Sequence, residues 1–341
     1  MFVNRGGFII GVLATLALTI LSYGVNAGPP QNLKISHQFP GGTITEGDFR
    51  DRLCRKFAEE IEKRSKGALT GTVYPGSSLM KTVAQFSAVR KGALDLSLYP
   101  ISYAGGEVPE LNIGLMPGVV TSYEQGALWK NAEVGKLLSK VLYDKGVIMV
   151  SWIWQAGGVA GRTKAIIEPE DCKGLKIRGG SREMDMVLKA AGASVISLPS
   201  NEIYQAMQTG ALDAAMTSST SLISFRLEEL AEHLTTGRGK AYWFMLEPLI
   251  MSRVVFEKLT KDQQAMIMQV GAELEKFAME AAKADDQAVG LLYQKHGAQV
   301  HDLSAETVKK WQDIARQTSW KDFAEKSETC AYLIKLVEKT L

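Results

Sequence analysis

The chain has 341 residues, a length that predicts two domains. Hydrophobic residues make up 46% and charged residues 22%, an ordinary globular balance that excludes a disordered chain. Lys and Arg number 39 against 37 Asp and Glu, so the formal net charge is +2, and no field of one sign draws the protein to nucleic acid or to an anionic membrane.

Residues 1–27 read as a secretory leader, apart from the fold. Arg5 gives a positive start, Phe8–Leu21 is an uncharged apolar run, and Val25-Asn26-Ala27 places small or compact residues where signal peptidase reads. The run is short for a membrane span, which needs about 20 residues, and Gly28-Pro29-Pro30 follows at once. The expected mature protein is exported and soluble, with cleavage after Ala27. Export permits a disulfide, but Cys54, Cys172 and Cys330 cannot all pair within one chain. They read as separate buried thiols, with one bridge such as Cys172–Cys330 as the alternative.

Leu33, Ile35, His37 and Phe39 alternate as a first strand. Phe49, Leu53, Phe57 and Ile61 then mark a helix over 48–66, closed by Gly67. A strand over 69–74, a helix over about 80–91 and a strand over 93–98 follow. A helical pair covers about 122–145, broken near Asn131, and the apolar run Val147–Trp152 predicts a central parallel strand. Strands alternating with helices indicate α/β architecture. Two segments echo each other: Val89-Arg90-Lys91-Gly92-Ala93-Leu94-Asp95 and Met207-Gln208-Thr209-Gly210-Ala211-Leu212-Asp213. Each reads as helix, Gly cap and strand, so the chain holds two similar lobes. From Thr260 to His296 no proline intervenes and apolar residues recur at helical spacing. That is a helix on the order of 50 Å, longer than one lobe needs and suited to a strut across both. Gly271 and Gly290 are possible bends. Helices over about 304–318 and 329–340 finish the chain.

No metal-ligand spacing, nucleophile elbow or P-loop occurs in the sequence, so no metal, cofactor or catalytic residue is expected. Binding has better support. Ligands of open α/β sheets sit beyond the carboxyl ends of strands. The strand ends here carry Tyr99, Trp152 and Trp154, Arg178, and Thr217 with Ser218. Gln38, Trp243 and Glu247 complete the candidate set. Arg178 stands out: it ends a strand, Gly179-Gly180 permit close backbone approach, and its planar guanidinium can hold a carboxylate through two parallel hydrogen bonds. The aromatic residues favour a monocarboxylate with an apolar or aromatic body.

With these residues in view, the chain resembles the solute-binding proteins of tripartite ATP-independent periplasmic (TRAP) transporters, the DctP-like family. The resemblance spans Leu33–Leu341. Its most specific parts are Leu175-Lys176-Ile177-Arg178, Ala191-Gly192-Ala193, and Pro199-Ser200-Asn201-Glu202-Ile203-Tyr204 running on to Gly210. It implies a periplasmic receptor with the class II type of two-lobed α/β fold, a long helix spanning both lobes, and Arg178 on the ligand's carboxylate. The lobes would comprise 28–151 with about 248–290, and 152–247 with about 291–341. The implied ligand is a small organic acid, delivered by a monomer to membrane permease subunits. A same-fold receptor for a sensor kinase or ABC importer, or a secreted lyase or hydrolase, are the alternatives. Two departures stand out. A further arginine common in the family falls near Gly158 here, leaving Arg162 as the nearby candidate, and a common asparagine is replaced by Thr217.

Overall fold

A computed structural model describes residues 1–2, 30–238 and 241–339, so all but the first two residues of the expected leader lie outside the described residues. Its strands, in chain order, are β1 (Gln31–Ser36), β2 (Leu69–Tyr74), β3 (Leu96–Leu98), β4 (Val147–Ser151), β5 (Trp154–Gly161), β6 (Lys176–Arg178), β7 (Ser194–Val195), β8 (Ala214–Ser218), β9 (His233–Thr236), β10 (Phe244–Leu246), β11 (Leu249–Ser252) and β12 (Gln299–Asp302). They form two sheets. One runs β2-β1-β3-β11-β4; the other runs β12-β9-β5-β8-β6-β7, with β10 paired to β5.

The sequence echo is a structural repeat. In the first sheet, β1 lies between β2 and β3, parallel to both; in the second, β6 lies between β7 and β8, parallel to both. The connecting helices are Phe49–Arg64 and Thr82–Lys91 in one copy, Arg182–Ala190 and Ile203–Gln208 in the other. Gly92 and Gly210 end the second helix of each copy with φ of 73° and 75°, a left-handed turn that glycine takes without steric cost. The aspartates three residues on do matching work. Asp95 accepts the backbone N–H of Lys34 at 2.8 Å, and Asp213 accepts that of Lys176 at 2.8 Å. Each tethers the strand that opens its unit to the one that closes it.

β4 is not the central parallel strand its apolar run suggests. It lies at the sheet edge, antiparallel to β11. Helices Glu133–Asp144 and Lys261–Lys295 pack on it, so its hydrophobicity records two covered faces, not two strand neighbours. β5, between β8 and β9, had no hydrophobic alternation to announce it. Its glycines are there for close approach: a Cβ on Gly157 would fall 2.2 Å from the Thr217 carbonyl, and one on Gly158 2.4 Å from that of Thr235.

The strut helix is continuous from Lys261 to Lys295, and Thr260 and Gln263 cap it reciprocally. It passes Gly271 and Gly290 without a break. At Gly271 a Cβ would lie 2.3 Å from the Val150 carbonyl, so this glycine seats the helix on β4. Further along, the same helix packs on β5, β9 and β12, and so braces both sheets. Residues 291–339 divide. β12 joins the second sheet and helix Ala305–Ala315 packs on helix Arg182–Ala190, whereas the final helix Glu328–Glu338 lies against Glu133–Asp144 and the turn Pro109–Leu115. Cys54, Cys172 and Cys330 are all buried free thiols.

Candidate functional site

The carboxyl ends of β1, β3, β6 and β8 meet between the two sheets, and Arg178 closes β6 there. Gly180, at φ 96°, makes room for it: a Cβ would lie 2.7 Å from Arg178 Nη1. Arg178 is only 3% exposed. Its Nε donates to the Leu198 carbonyl at 3.0 Å, Nη1 to the Met216 carbonyl at 2.7 Å, and Nη2 to the Tyr103 hydroxyl at 2.6 Å. A guanidinium has five N–H donors. These three bonds leave one N–H on each terminal nitrogen, the fork that two carboxylate oxygens fit. Among the described residues no carboxylate lies within salt-bridge distance of it; the Asp185 carboxylate, which lines the adjacent cavity, acts on it only at longer range, and a buried cation without a close counter-ion is costly.

Buried polar atoms without partners lie along the same inter-sheet boundary: Thr217 Oγ1, both amide atoms of Gln38, and Gln155 Oε1. Thr217 follows the carbonyl that Arg178 holds. Gln38 precedes Phe39, whose ring lies 3.5 Å under the Arg50 guanidinium. Gln155 donates to Glu247, which accepts from Arg50. Orphaned groups of this kind indicate where a polar ligand completes the structure. A cavity of about 240 Å³ opens beside Arg178, lined by Ser102 and Tyr103 from one side and by Gly180, Ser181 and Leu198 from the other.

Arg50 is the residue that sequence reading missed. It is fully buried, forks onto Asp48 at 2.9 and 2.7 Å, and reaches Glu247 at 3.1 Å, Ser221 at 3.1 Å and Ser218 at 3.3 Å. Burial pushes the Glu247 carboxyl above its ordinary pKa, against the pull of Arg50. The available signal was its phase: Arg50 lies three, four and seven residues before Leu53, Cys54 and Phe57, on the apolar face of its helix.

Several candidates find different settings. Ser218 is engaged by Arg50 and Ser221 and caps helix Ser219–Ser224, so its hydroxyl organises the site without facing it as an open donor. Trp152 and Trp154 line another cavity, about 310 Å³, with Tyr123, Lys130, Glu275 and Met279. Trp154 stands edge-on to Trp129 at 5.1 Å, and the Trp152 backbone N–H donates to Glu275. Alternate residues of an extended chain face opposite ways, and Gln155, between β5's first residue and Ala156, takes the side toward Glu247. Arg162 follows β5 and lies beside Gly210, at the amino end of β8, whereas Thr217 is at its carboxyl end. The structure thus sets Arg162 at the opposite end of β8 from Thr217. Tyr99 is buried between Phe86 at 5.9 Å and Tyr103 at 6.0 Å, and burial holds its phenol far above the usual range. Trp243 is buried over Gly157, 2.2 Å from where a Cβ would stand.

The loop bearing Arg178 runs into helix Arg182–Ala190, whose Glu183 is fully buried, its two carboxylate oxygens without hydrogen-bond partners. Burial pushes its pKa up to about 7. A folded-state pKa above the unfolded value of about 4.3 contributes stability at low pH that is lost as pH rises through about 7. Thermal denaturation should show the wild-type midpoint falling between pH 5 and 8, and Glu183→Gln should flatten that fall. An identical pH profile for both proteins would remove Glu183 as its source.

The family model for bacterial extracellular solute-binding proteins, family 7 (DctP), matches residues 42–327. The chain belongs to this family. A solute-binding protein of Albidiferax ferrireducens is 67% identical to this DctP chain over 326 residues, 96% of each. Among solved structures, a TRAP periplasmic solute-binding protein from Rhodoferax ferrireducens with bound malonate is 70% identical, with a TM-score of 0.89 over 90% of this chain and 98% of that one. A counterpart from Sulfitobacter sp. NAS-14.1 with bound β-D-galacturonate gives a TM-score of 0.82 at 20% identity, over 91% of this chain and 100% of the other. That second likeness carries the fold alone. The DctP chain thus has the two-lobed α/β architecture that its sequence implies.

Proposed function

We propose that this DctP protein is the periplasmic receptor of a TRAP transporter, closing its lobes on a small organic acid and passing it to membrane permease subunits. The observation that carries the reading is Arg178: a buried guanidinium with one N–H left on each terminal nitrogen and no carboxylate within salt-bridge distance among the described residues. An anion completes it. Malonate in the relative at 70% identity supports a short acid. The aromatic body expected from Trp152 and Trp154 loses its basis, because both line a different cavity. Thr217, Gln38 and Gln155 would bond the ligand's remaining oxygens or N–H groups. The lobes are taken as 28–151 with about 248–290, and 152–247 with about 291–341, although the final helix Glu328–Glu338 packs on elements of the first. The protein acts as an exported receptor, not an enzyme, with its leader removed after Ala27.

The test is a thermal-shift and calorimetric screen of the mature protein against malonate, succinate, malate, 2-oxo acids, pyroglutamate and uronates. A cognate acid at 100 times its Kd should stabilise the fold by about 2.7 kcal/mol. Silence across every carboxylate would overturn the reading.

A further inference from the structure

We infer that the Tyr103 hydroxyl is a latch that couples occupancy of Arg178 to closure of the lobes. This rests on the reading of Arg178 as the anion ligand. Tyr103 sits in the turn Ile101–Ala104 that follows β3, with Ile101 and Ala104 buried beneath it, so the turn moves with the first sheet. Its ring is braced edge-on by Tyr99 at 6.0 Å, and the Arg178 guanidinium carbon stands 5.9 Å from its centre. The phenolic oxygen accepts two bonds, from Arg178 Nη2 at 2.6 Å and from the Ser200 backbone N–H at 3.0 Å. Both donors belong to the second sheet's elements: Arg178 ends β6, and Ser200 opens the turn before helix Ile203–Gln208.

The remaining bonds of Arg178 run to the Leu198 and Met216 carbonyls, on its own side, and survive when the lobes part. The bond to Tyr103 is the one that crosses and must break. With two acceptor sites filled, the hydroxyl keeps its own proton to donate, and it lines the cavity beside Arg178. A carboxylate seated on the free edge of Arg178 fixes the guanidinium plane, which holds Nη2 on the phenol, and it can take the phenol's proton as a third hydrogen bond. Ligand and latch therefore favour the same closed arrangement, and each strengthens the other by linkage. Tyr103 is a positioning residue in this scheme. It sets how long the closed state lasts more than how fast ligand arrives.

Tyr103→Phe keeps the ring and removes the oxygen. With malonate as the probe, the dissociation rate should rise about ten-fold, as expected for loss of a charge-assisted bond, while the association rate stays within about two-fold. Ser200→Pro removes only the second donor, at the first position of a turn where proline is tolerated, and should shift the dissociation rate the same way by less. In a double-mutant cycle, Tyr103→Phe and Arg178→Lys should be non-additive, because the ammonium already lacks the reach that the phenol reads. Spin-label distances between the lobes add a ligand-free arm: the closed population should fall several-fold in Tyr103→Phe. If no acid binds the unmodified chain, the reading of Arg178 fails, and the ligand-free distances still judge the latch. Equal closed populations, equal dissociation rates or strict additivity in the cycle would overturn the latch alone.

Discussion

Arg178→Ala should weaken binding of the cognate acid by roughly 30- to several-thousand-fold, the usual consequence of truncating one partner of a buried hydrogen-bonded charge pair, about 2–5 kcal/mol. The size follows from the setting. Arg178 is 3% exposed, so water cannot replace it on the ligand's carboxylate, and its three protein bonds hold its free edge in one orientation. Arg178→Lys should recover only part of the loss. An ammonium keeps the charge but cannot reach the Leu198 and Met216 carbonyls and the Tyr103 hydroxyl together while offering two parallel donors. Calorimetry should therefore rank wild type, lysine and alanine in descending affinity. Unchanged affinity in Arg178→Ala would remove the anion site from this position.

Different parts of the molecule were legible in the sequence to different degrees, for physical reasons. The repeat was readable because its markers are local. Gly92 and Gly210 cap helices in a left-handed turn, and Asp95 and Asp213 sit at one fixed offset from them. The strut was readable because Thr260 and a long proline-free pattern are local too. The place of Arg178 at a strand end was readable because two glycines follow it. What failed was direction across the strands. The sequence 152–155 has tryptophan at two of its four positions, and only the pleat and the packing of helix Lys261–Lys295 decide that Trp152 and Trp154 face away from Arg178 while Gln155 faces Glu247. β5 was invisible because its glycines answer to carbonyls on β8 and β9, which are remote in sequence. Arg50 reaches a partner 197 residues away, so no local pattern names its partners.

Arg50→Met should be the most damaging single change for stability, on the order of 3–5 kcal/mol, because it strands the carboxylates of Asp48 and Glu247 without their cation. Although burial pulls the other way, those two carboxylates hold the Arg50 pKa above its ordinary value. The network also joins the halves of the molecule: Asp48 and Arg50 open the helix after β1, Ser218 and Ser221 stand at the end of β8, and Glu247 lies in the crossing between β10 and β11. Loss of Arg50 should therefore lower the urea midpoint and weaken ligand-induced compaction together. The damage should depend on pH. Burial already raises the Glu247 pKa, and without Arg50 nothing of comparable strength opposes that rise. A raised folded-state pKa contributes stability below the unfolded value and loses it as pH increases, so the variant should be markedly weaker at pH 8 than at pH 5. Glu247→Gln in the Arg50→Met background should restore part of the stability at pH 8 and little at pH 5. A loss that is the same at both pH values, and insensitive to Glu247→Gln, would mean that Arg50 acts by packing on Phe39 and not by neutralising the buried acids.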